Sequence, residues 1–226
     1  ALLIFVSVSA SADTPPKQQQ AIDALSGITS NLQKNRDGTV RFVRFSKSVV
    51  TDGNVALIAA FKQLDYLAVV TPTVGDEGLA AVEGLANLDT LFLSDSGVTD
   101  LTLSRVSKLR KLERLYLDRT SVTDEGVRGL ADLSTLTTLS LNGTKISDAC
   151  LEELSRLSGL ESLSLSDTAI TDDGVRHLAS MASLKTLSLD GTTVTGAGLA
   201  HVASLSQLKT LSLRRTQMVE HLPGLL

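Results

Sequence analysis

The sequence predicts an α/β solenoid in which eight units of 24 residues stack into one array. Three observations predict it: a leucine or close substitute recurs at this spacing, a strand-like alternation follows it, and a helical pattern comes next. A period of about 20–50 residues is typical of solenoids, because each unit buries its apolar face only against its neighbours. The units begin at Val40, Leu64, Leu88, Leu112, Leu136, Leu160, Leu184 and Leu208.

Each unit begins with a predicted β-strand. When the first residue of a unit is numbered position 0, positions 0, 3 and 5 are apolar, as in Leu112, Leu115 and Leu117. Alternation around positions 3 to 5 is the pattern of a strand that has one buried face. We therefore expect positions 2, 4 and 6 to face solvent.

A short helix is predicted in the second half of each unit. Apolar residues recur at positions 15, 18 and 21, for example Val127, Leu130 and Leu133, and a spacing of three is helical. Position 12 is Asp in six units, and we expect it to be the N-cap whose carboxylate accepts free N–H groups of the first turn. These residues are Asp52, Asp76, Asp100, Asp124, Asp148 and Asp172.

Stacking of such units predicts a curved array. Adjacent strands of a sheet lie about 4.8 Å apart, whereas packed helix axes need about 8–10 Å. Because both kinds of element stack in the same order, we expect a concave parallel sheet on the inside and short helices on the convex outside.

The repeated pattern L-x-x-L-x-L-x-x-T-x-[IV]-T-D resembles the leucine-rich repeat family from residue 40 to about 222. It looks most like a bacterial subtype abundant in planctomycete-like genomes, and it is similar to the repeats of ribonuclease inhibitors and F-box-type receptors. The resemblance implies a right-handed horseshoe and ligand binding on the concave face, and it implies no chemistry.

The residues outside the repeats are predicted to have separate roles. Residues 1–12 hold an apolar run and the small-residue site Ala10-Ser11-Ala12, typical of a secretory signal remnant. The alternative is an apolar strand that pads the first unit. Residues 13–20 have linker composition, and residues 21–39 are predicted to cap the solenoid with a helix over 21–34 and a turn at Asp37-Gly38. Residues 40–226 form the repeats, and their end without a polar capping helix favours a truncated chain.

Composition restricts the location and the partners. The 226-residue chain carries a formal net charge of −4 with mixed signs, whereas a nucleic-acid-binding face needs clustered Lys and Arg. Beyond residue 12, no apolar segment reaches the about 18 residues that a membrane span needs. We therefore expect no nucleic acid partner and no membrane-spanning segment. Together with the signal-like residues 1–12, this predicts an exported protein that is periplasmic, on the cell surface or secreted. We expect it to be a monomer.

The sequence predicts neither a catalytic site nor a metal site. The sequence has no Gly-x-Ser-x-Gly elbow and no glycine-rich phosphate loop. His177 and His201 share position 17 of successive units, but two ligands do not make a metal site. Cys150 replaces the usual Gly of position 14 and is expected to be a small, partly buried residue. We expect neither an enzyme nor a cofactor.

The predicted ligand-binding residues lie on the concave side of the first four units. Six aromatic residues follow the signal-like segment, and four of them fall at solvent-facing strand positions of these units. If they served only β-sheet propensity, they would scatter over all eight strands. Tyr and Arg dominate interface hot spots. The candidate site consists of Phe42, Arg44, Tyr66, Phe92, Arg114, Tyr116, Asp118 and Arg119.

Three functions are compatible with this surface. The first is a non-catalytic module that binds a protein or peptide outside the cytoplasm. The second is an envelope protein that recognises glycan, since flat aromatics beside Asp and Arg can stack on a sugar. The third is the recognition segment of a larger protein with further domains.

Overall fold

The computed structural model describes residues 16–217, and within this range one sheet contains nine strands in sequence order. Strands β2 to β9 are parallel, and β1 pairs antiparallel with β2. Short helices connect the parallel strands, so the predicted α/β solenoid horseshoe is confirmed. The predicted signal remnant, residues 1–12, lies outside the described residues.

The elements alternate regularly once the first parallel strand has formed. Single 3₁₀ turns, such as Leu57–Ala60, extend or replace several of the convex helices. The helices and strands are α1 (Pro16–Ala24), β1 (Asn31–Lys34), β2 (Val40–Phe45), α2 (Asp52–Ala56), β3 (Tyr66–Val69), β4 (Thr90–Phe92), α3 (Asp100–Val106), β5 (Arg114–Tyr116), α4 (Asp124–Arg128), β6 (Thr138–Ser140), α5 (Leu151–Leu154), β7 (Ser162–Ser164), α6 (Asp172–Leu178), β8 (Thr186–Ser188), α7 (Gly196–Val202) and β9 (Thr210–Ser212).

The register of the sheet confirms the spacing of 24 residues. Leu115 pairs with Leu139 on the next strand, and Leu139 pairs with Leu163, so equivalent positions of each unit are neighbours. All three side chains are fully buried in one continuous apolar core. The apolar side chains of one unit are covered by those of the units on either side, so this core exists only because the units stack.

The helix predicted over residues 21–34 is wrong in its bounds. The helix spans Pro16–Ala24 and so begins inside the predicted linker, while residues 31–34 form strand β1. Proline suits the first turn of a helix, where its missing N–H is not needed. Gly27 has a φ of 79°, a left-handed conformation that ends helices. The chain then turns back, and Leu32 pairs with Val43 of β2.

The N-cap assignment of Asp at position 12 is also wrong. The cap of α4 is Thr123, whose hydroxyl oxygen accepts the N–H of Glu125 at 3.3 Å. Asp100, the first residue of α3, instead accepts the Thr123 N–H at 2.8 Å and the Thr123 hydroxyl at 2.7 Å. The carboxylate therefore ties one unit to the next. The same two bonds join Asp76 to Thr99, Asp124 to Ser147, Asp148 to Thr171 and Asp172 to Thr195.

Position 14 of the following unit makes room for this carboxylate. A Cβ added to Gly126 would collide with the carboxylate of Asp100, although the backbone there has no special conformation. Thr102 stands at position 14 of the third unit, and its hydroxyl donates to Asp76 at 2.5 Å. Position 14 thus accommodates the carboxylate of the preceding unit in two ways. Glycine leaves space for it, and threonine donates a hydrogen bond to it.

Candidate functional site

Four aromatic side chains form a continuous row across β2 to β5, on the side of the sheet that faces away from the core. Phe42 and Tyr66 stack with ring centroids 4.2 Å apart, and Phe92 and Tyr116 stack at 3.8 Å. Tyr66 and Phe92 join the two pairs at 5.6 Å, with an angle of 39° between the rings. All four side chains are half-buried. We call these four residues the aromatic row.

The strand register explains the diagonal course of the row. Tyr66 lies opposite Thr90 and Phe92 lies opposite Ala68, so the row shifts by two residues between β3 and β4. Diagonal neighbours of this kind remain within reach of aromatic side chains. Ala68 and Thr90 are only 1% and 3% exposed, which means that the larger side chains around them close over them.

The stacking determines which part of each ring meets solvent. Within both pairs the ring planes are nearly parallel, at 11° and 6°, so each ring covers one face of its partner. One face of every ring is thus removed from solvent, and a partner meets ring edges as well as the remaining faces. Aromatic edges carry partial positive charge, so the row favours apolar groups and electron-rich acceptors.

Two of the predicted arginines form bonds within the sheet. Arg114 donates to the hydroxyl of Thr90 at 2.8 Å and to the carboxylate of Asp89 at 3.1 Å. Arg119 donates two hydrogen bonds to Asp95 of the preceding unit, at 2.6 and 2.5 Å. The Arg119 guanidinium also holds the pKa of the Asp95 carboxyl below its usual value. Both guanidinium groups are therefore held in place by their own chain.

Asp118 also serves the stacking of units. Its carboxylate accepts the N–H of Asn142 at 2.9 Å and the hydroxyl of Ser140 at 2.5 Å. The side chain of Asn142 in turn accepts the N–H of Ser166 at 2.8 Å. Position 6 thus carries a chain of hydrogen bonds from the fourth unit to the sixth, and Asp118 is one member of it.

Arg44 differs from the other predicted charged residues. Its side chain is exposed, and within residues 16–217 it forms no hydrogen bond or ion pair. It lies on β2 opposite Ala68 of β3, which makes it a diagonal neighbour of Tyr66. Burial raises the pKa of the Tyr66 hydroxyl, and the charge of Arg44 opposes this effect only in part. The hydroxyl is therefore a protonated donor at neutral pH.

Sequence reasoning missed the contribution of β1 to this surface. Asn31 lies opposite Arg44 and Gln33 lies opposite Phe42, so both exposed amide side chains extend the concave face by one strand. The helix predicted over residues 21–34 does not place these residues on the concave face. The Asp37-Gly38 turn just before β2 was the available signal, since Asp-Gly between two strands is typical of a hairpin.

Other features of the described range lie away from the aromatic row. A groove of about 580 Å³ lies between α1 and the helical side of the first unit, where Lys17, Ala21 and Lys62 are among its lining residues. In residues 16–217 no group of three or more His, Cys, Asp or Glu side chains is arranged to hold a metal ion. No helix of that range combines the length and the apolar character needed to cross a membrane.

A sheet of stacked units with one open face defines the molecule as a repeat solenoid that presents a surface and not an enclosed cleft. Residues 41–225 match the family described as leucine-rich repeat region, so the chain belongs to the leucine-rich repeat family. The family resemblance seen in the sequence is thereby confirmed, while the bacterial subtype stays a prediction. No curated protein matches the sequence.

Solved structures share the fold at low sequence identity. An internalin from Listeria monocytogenes is 22% identical with a TM-score of 0.59, over 73% of this chain and 52% of the internalin. A leucine-rich repeat protein from Leptospira interrogans is 20% identical with a TM-score of 0.58, over 77% and 42%. A plant peptide hormone receptor, RGFR1, solved in complex with RGF2, is 16% identical with a TM-score of 0.56, over 84% and 37%. The chain thus spans about half or less of the proteins it matches.

Proposed function

We propose that the chain is a non-catalytic binding module for a protein or peptide, which contacts the concave face of its N-terminal half. The observation that carries this proposal is the aromatic row, four touching aromatic side chains on an otherwise polar open surface. The family supports it, since leucine-rich repeats are typically protein-binding modules, and a structural neighbour was solved in complex with RGF2.

The row has the physical properties of a binding surface. Half-buried aromatic side chains still expose apolar surface, and a partner that covers them removes this surface from water. Such residues dominate interface hot spots. Stacking already restricts the rings of Tyr66 and Phe92, and internal bonds restrict Arg114. A surface that is ordered before binding loses less conformational entropy on association.

The C-terminal half of the concave face lacks such anchors. Its strand positions 2 and 4 carry Ser and Thr on β6 to β9, for example Ser164 and Ser188. These short side chains suit a strand and a soluble surface, and they offer little apolar area to a partner. We therefore assign the contact to the aromatic row and Arg44, with Arg114, Asp118 and Arg119 as the bonded frame around them.

Stacking reduces the number of ring faces on which a glycan can pack. A sugar that stacks on an aromatic side chain needs an open ring face, and in both stacked pairs one face of each ring is already covered by its partner. A polypeptide can use ring edges and hydroxyl groups through its apolar side chains and carbonyl oxygens. We further propose export of the mature chain, on the basis of the signal-like residues 1–12.

Affinity capture from the envelope and secreted fractions of the source organism tests the binding proposal. The baits are the full chain, the double variant Phe92→Ser/Tyr116→Ser, and the control Ser164→Ala/Ser188→Ala, which changes the same strand position in two distant units. Circular dichroism and thermal melting verify that all three baits are folded.

A partner retained by the parent is then purified, and its Kd for each bait is measured by calorimetry. We expect the control to bind like the parent and the aromatic variant to lose affinity by about tenfold or more. Equal affinity for all three baits would show that the partner binds elsewhere on the solenoid.

A further inference from the structure

Arg44 provides a cation that no side chain of residues 16–217 neutralises. Arg114 and Arg119 each bond to a carboxylate of a neighbouring unit, whereas Arg44 forms no such bond within residues 16–217. Asp65 of the adjacent unit accepts a hydrogen bond from Arg41 at 2.7 Å. Positions 2 and 4 of β2, β3 and β4 contain no carboxylate at all.

The surroundings of Arg44 supply further donors at fixed places. Tyr66 is its diagonal neighbour, and stacking on Phe42 at 4.2 Å holds the Tyr66 ring, so the direction of its hydroxyl is limited. Ala68 lies opposite Arg44 on β3, and its side chain is too small to fill the space beside the guanidinium. Asn31 lies opposite Arg44 on β1 and adds an exposed amide. The Arg44 guanidinium and the Tyr66 hydroxyl are thus diagonal neighbours, and the charge of Arg44 acts on the pKa of that hydroxyl.

These donors match one carboxylate. A guanidinium binds a carboxylate through two parallel charge-assisted hydrogen bonds, and a single arginine balances a single negative charge. The aromatic row begins beside this position and continues over four strands, which span about 14 Å at the usual strand spacing. An extended polypeptide can cover both features, because successive side chains on one of its faces can meet the guanidinium and the rings.

We propose that Arg44 and the Tyr66 hydroxyl form a carboxylate-binding subsite at one end of the aromatic row, and that the partner is an extended peptide segment with an aspartate or glutamate side chain there. Apolar side chains of the same segment lie along the aromatic row. This inference rests on the proposed function and adds the chemistry of the partner to it.

A displayed library of short random peptides tests the subsite. It is selected on the full chain, on Arg44→Gln, and on the control Arg214→Gln, an exposed arginine of the last described unit at the opposite end of the sheet. The parent and the control should enrich peptides in which Asp or Glu neighbours apolar residues. Arg44→Gln should keep the apolar preference and lose the acidic one.

A selected peptide is then made with an amidated C-terminus in two forms, with its acidic residue intact and with Glu→Gln or Asp→Asn. The parent should bind the acidic form about tenfold more tightly, which corresponds to about 1.4 kcal/mol. Arg44→Gln should bind both forms equally, and Tyr66→Phe should show a smaller loss. Added salt should weaken the binding of the acidic form to the parent and to Tyr66→Phe, which both keep Arg44, more than its binding to Arg44→Gln.

The outcomes separate this inference from the proposed function. Enriched peptides without an acidic preference, or an acidic preference that survives Arg44→Gln, would overturn the subsite while peptide binding stands. A parent that selects no peptides would overturn the extended-peptide partner, and the capture experiment would then decide separately on the binding function.

Discussion

Asp148 accepts two hydrogen bonds from Thr171 of the next unit, one from the backbone N–H at 2.8 Å and one from the hydroxyl at 2.6 Å. The pair links the start of one convex segment to the cap of the following helix. The same link recurs along the array, so it is a periodic bond of the solenoid and not a local cap.

Removal of this carboxylate should destabilise the interface between two units. Asp148→Ala leaves two donors of Thr171 without their acceptor, and we expect a loss of about 1–3 kcal/mol in the free energy of unfolding. Glu152→Ala is the control, because Glu152 is exposed on the same convex segment and its carboxylate forms no hydrogen bond among the described residues. Urea denaturation measures both, and equal stabilities of the two variants would refute the link.

A methyl group at position 14 should conflict with the position-12 carboxylate of the preceding unit. In Gly126→Ala the new Cβ meets the Asp100 carboxylate, and the displacement breaks the hydrogen bonds that Thr123 donates to Asp100. We expect destabilisation although alanine favours a helix by about 1 kcal/mol over glycine. Gly129→Ala is the matched control, because its nearest contact would be 4.0 Å away, and it should be neutral or stabilising.

A double-mutant cycle tests the cause of this conflict. If the collision with Asp100 is responsible, Gly126→Ala should cost much less in an Asp100→Ala background than in the parent. Additive effects of the two changes, measured by urea denaturation, would exclude the proposed contact.

The carboxylate of Asp172 should make stability fall in acid. Burial opposes ionisation of Asp172, but hydrogen bonds from Thr195 and from the backbone of Gly198 outweigh it, and the net effect lowers the pKa of this carboxyl. A lowered pKa in the folded state means that the unfolded chain binds more protons. The contribution is therefore complete above the unfolded pKa of about 3.9, and it is lost as the pH falls through the folded pKa.

Comparison with Asp172→Asn isolates this contribution. The amide does not titrate, so the variant should be less stable than the parent at neutral pH, and the difference should shrink below about pH 4. Thermal melting over a pH series gives the two curves. A difference that stays constant down to low pH would show that ionisation of Asp172 does not matter.

The thiol of Cys150 should not react while the chain is folded. Its side chain is fully buried at position 14, and burial, aided by the Asp124 carboxylate, raises the pKa of the thiol far above its usual value. Because the thiolate is the nucleophile, we expect a thiol reagent to label the chain only after denaturation. Rapid labelling of the native chain would show that the Cys150 thiol is accessible in the folded state.

The repeat array was predictable because its signal is redundant. Leu139 and its equivalents recur at one spacing, and only an in-register parallel sheet buries all of them together. The N-terminal segment has no such repetition. Ile28 and Leu32 are separated by four residues, which suits a helix, yet the left-handed Gly27 and the hairpin with β2 placed Leu32 in a strand.

The sequence by itself determined the solenoid, its register and the side of the sheet on which each strand side chain of the 24-residue units lies, because these follow from periodicity alone. Only the tertiary structure decided which polar side chains are already hydrogen-bonded to a neighbouring unit. Asp118 and Arg114 share the concave face with Arg44 and look equally available in the sequence. Their hydrogen-bond partners, however, lie about one period away, in the following unit for Asp118 and in the preceding unit for Arg114. Whether a hydrogen bond forms there depends on distances of a few tenths of an ångström, which alternation does not specify.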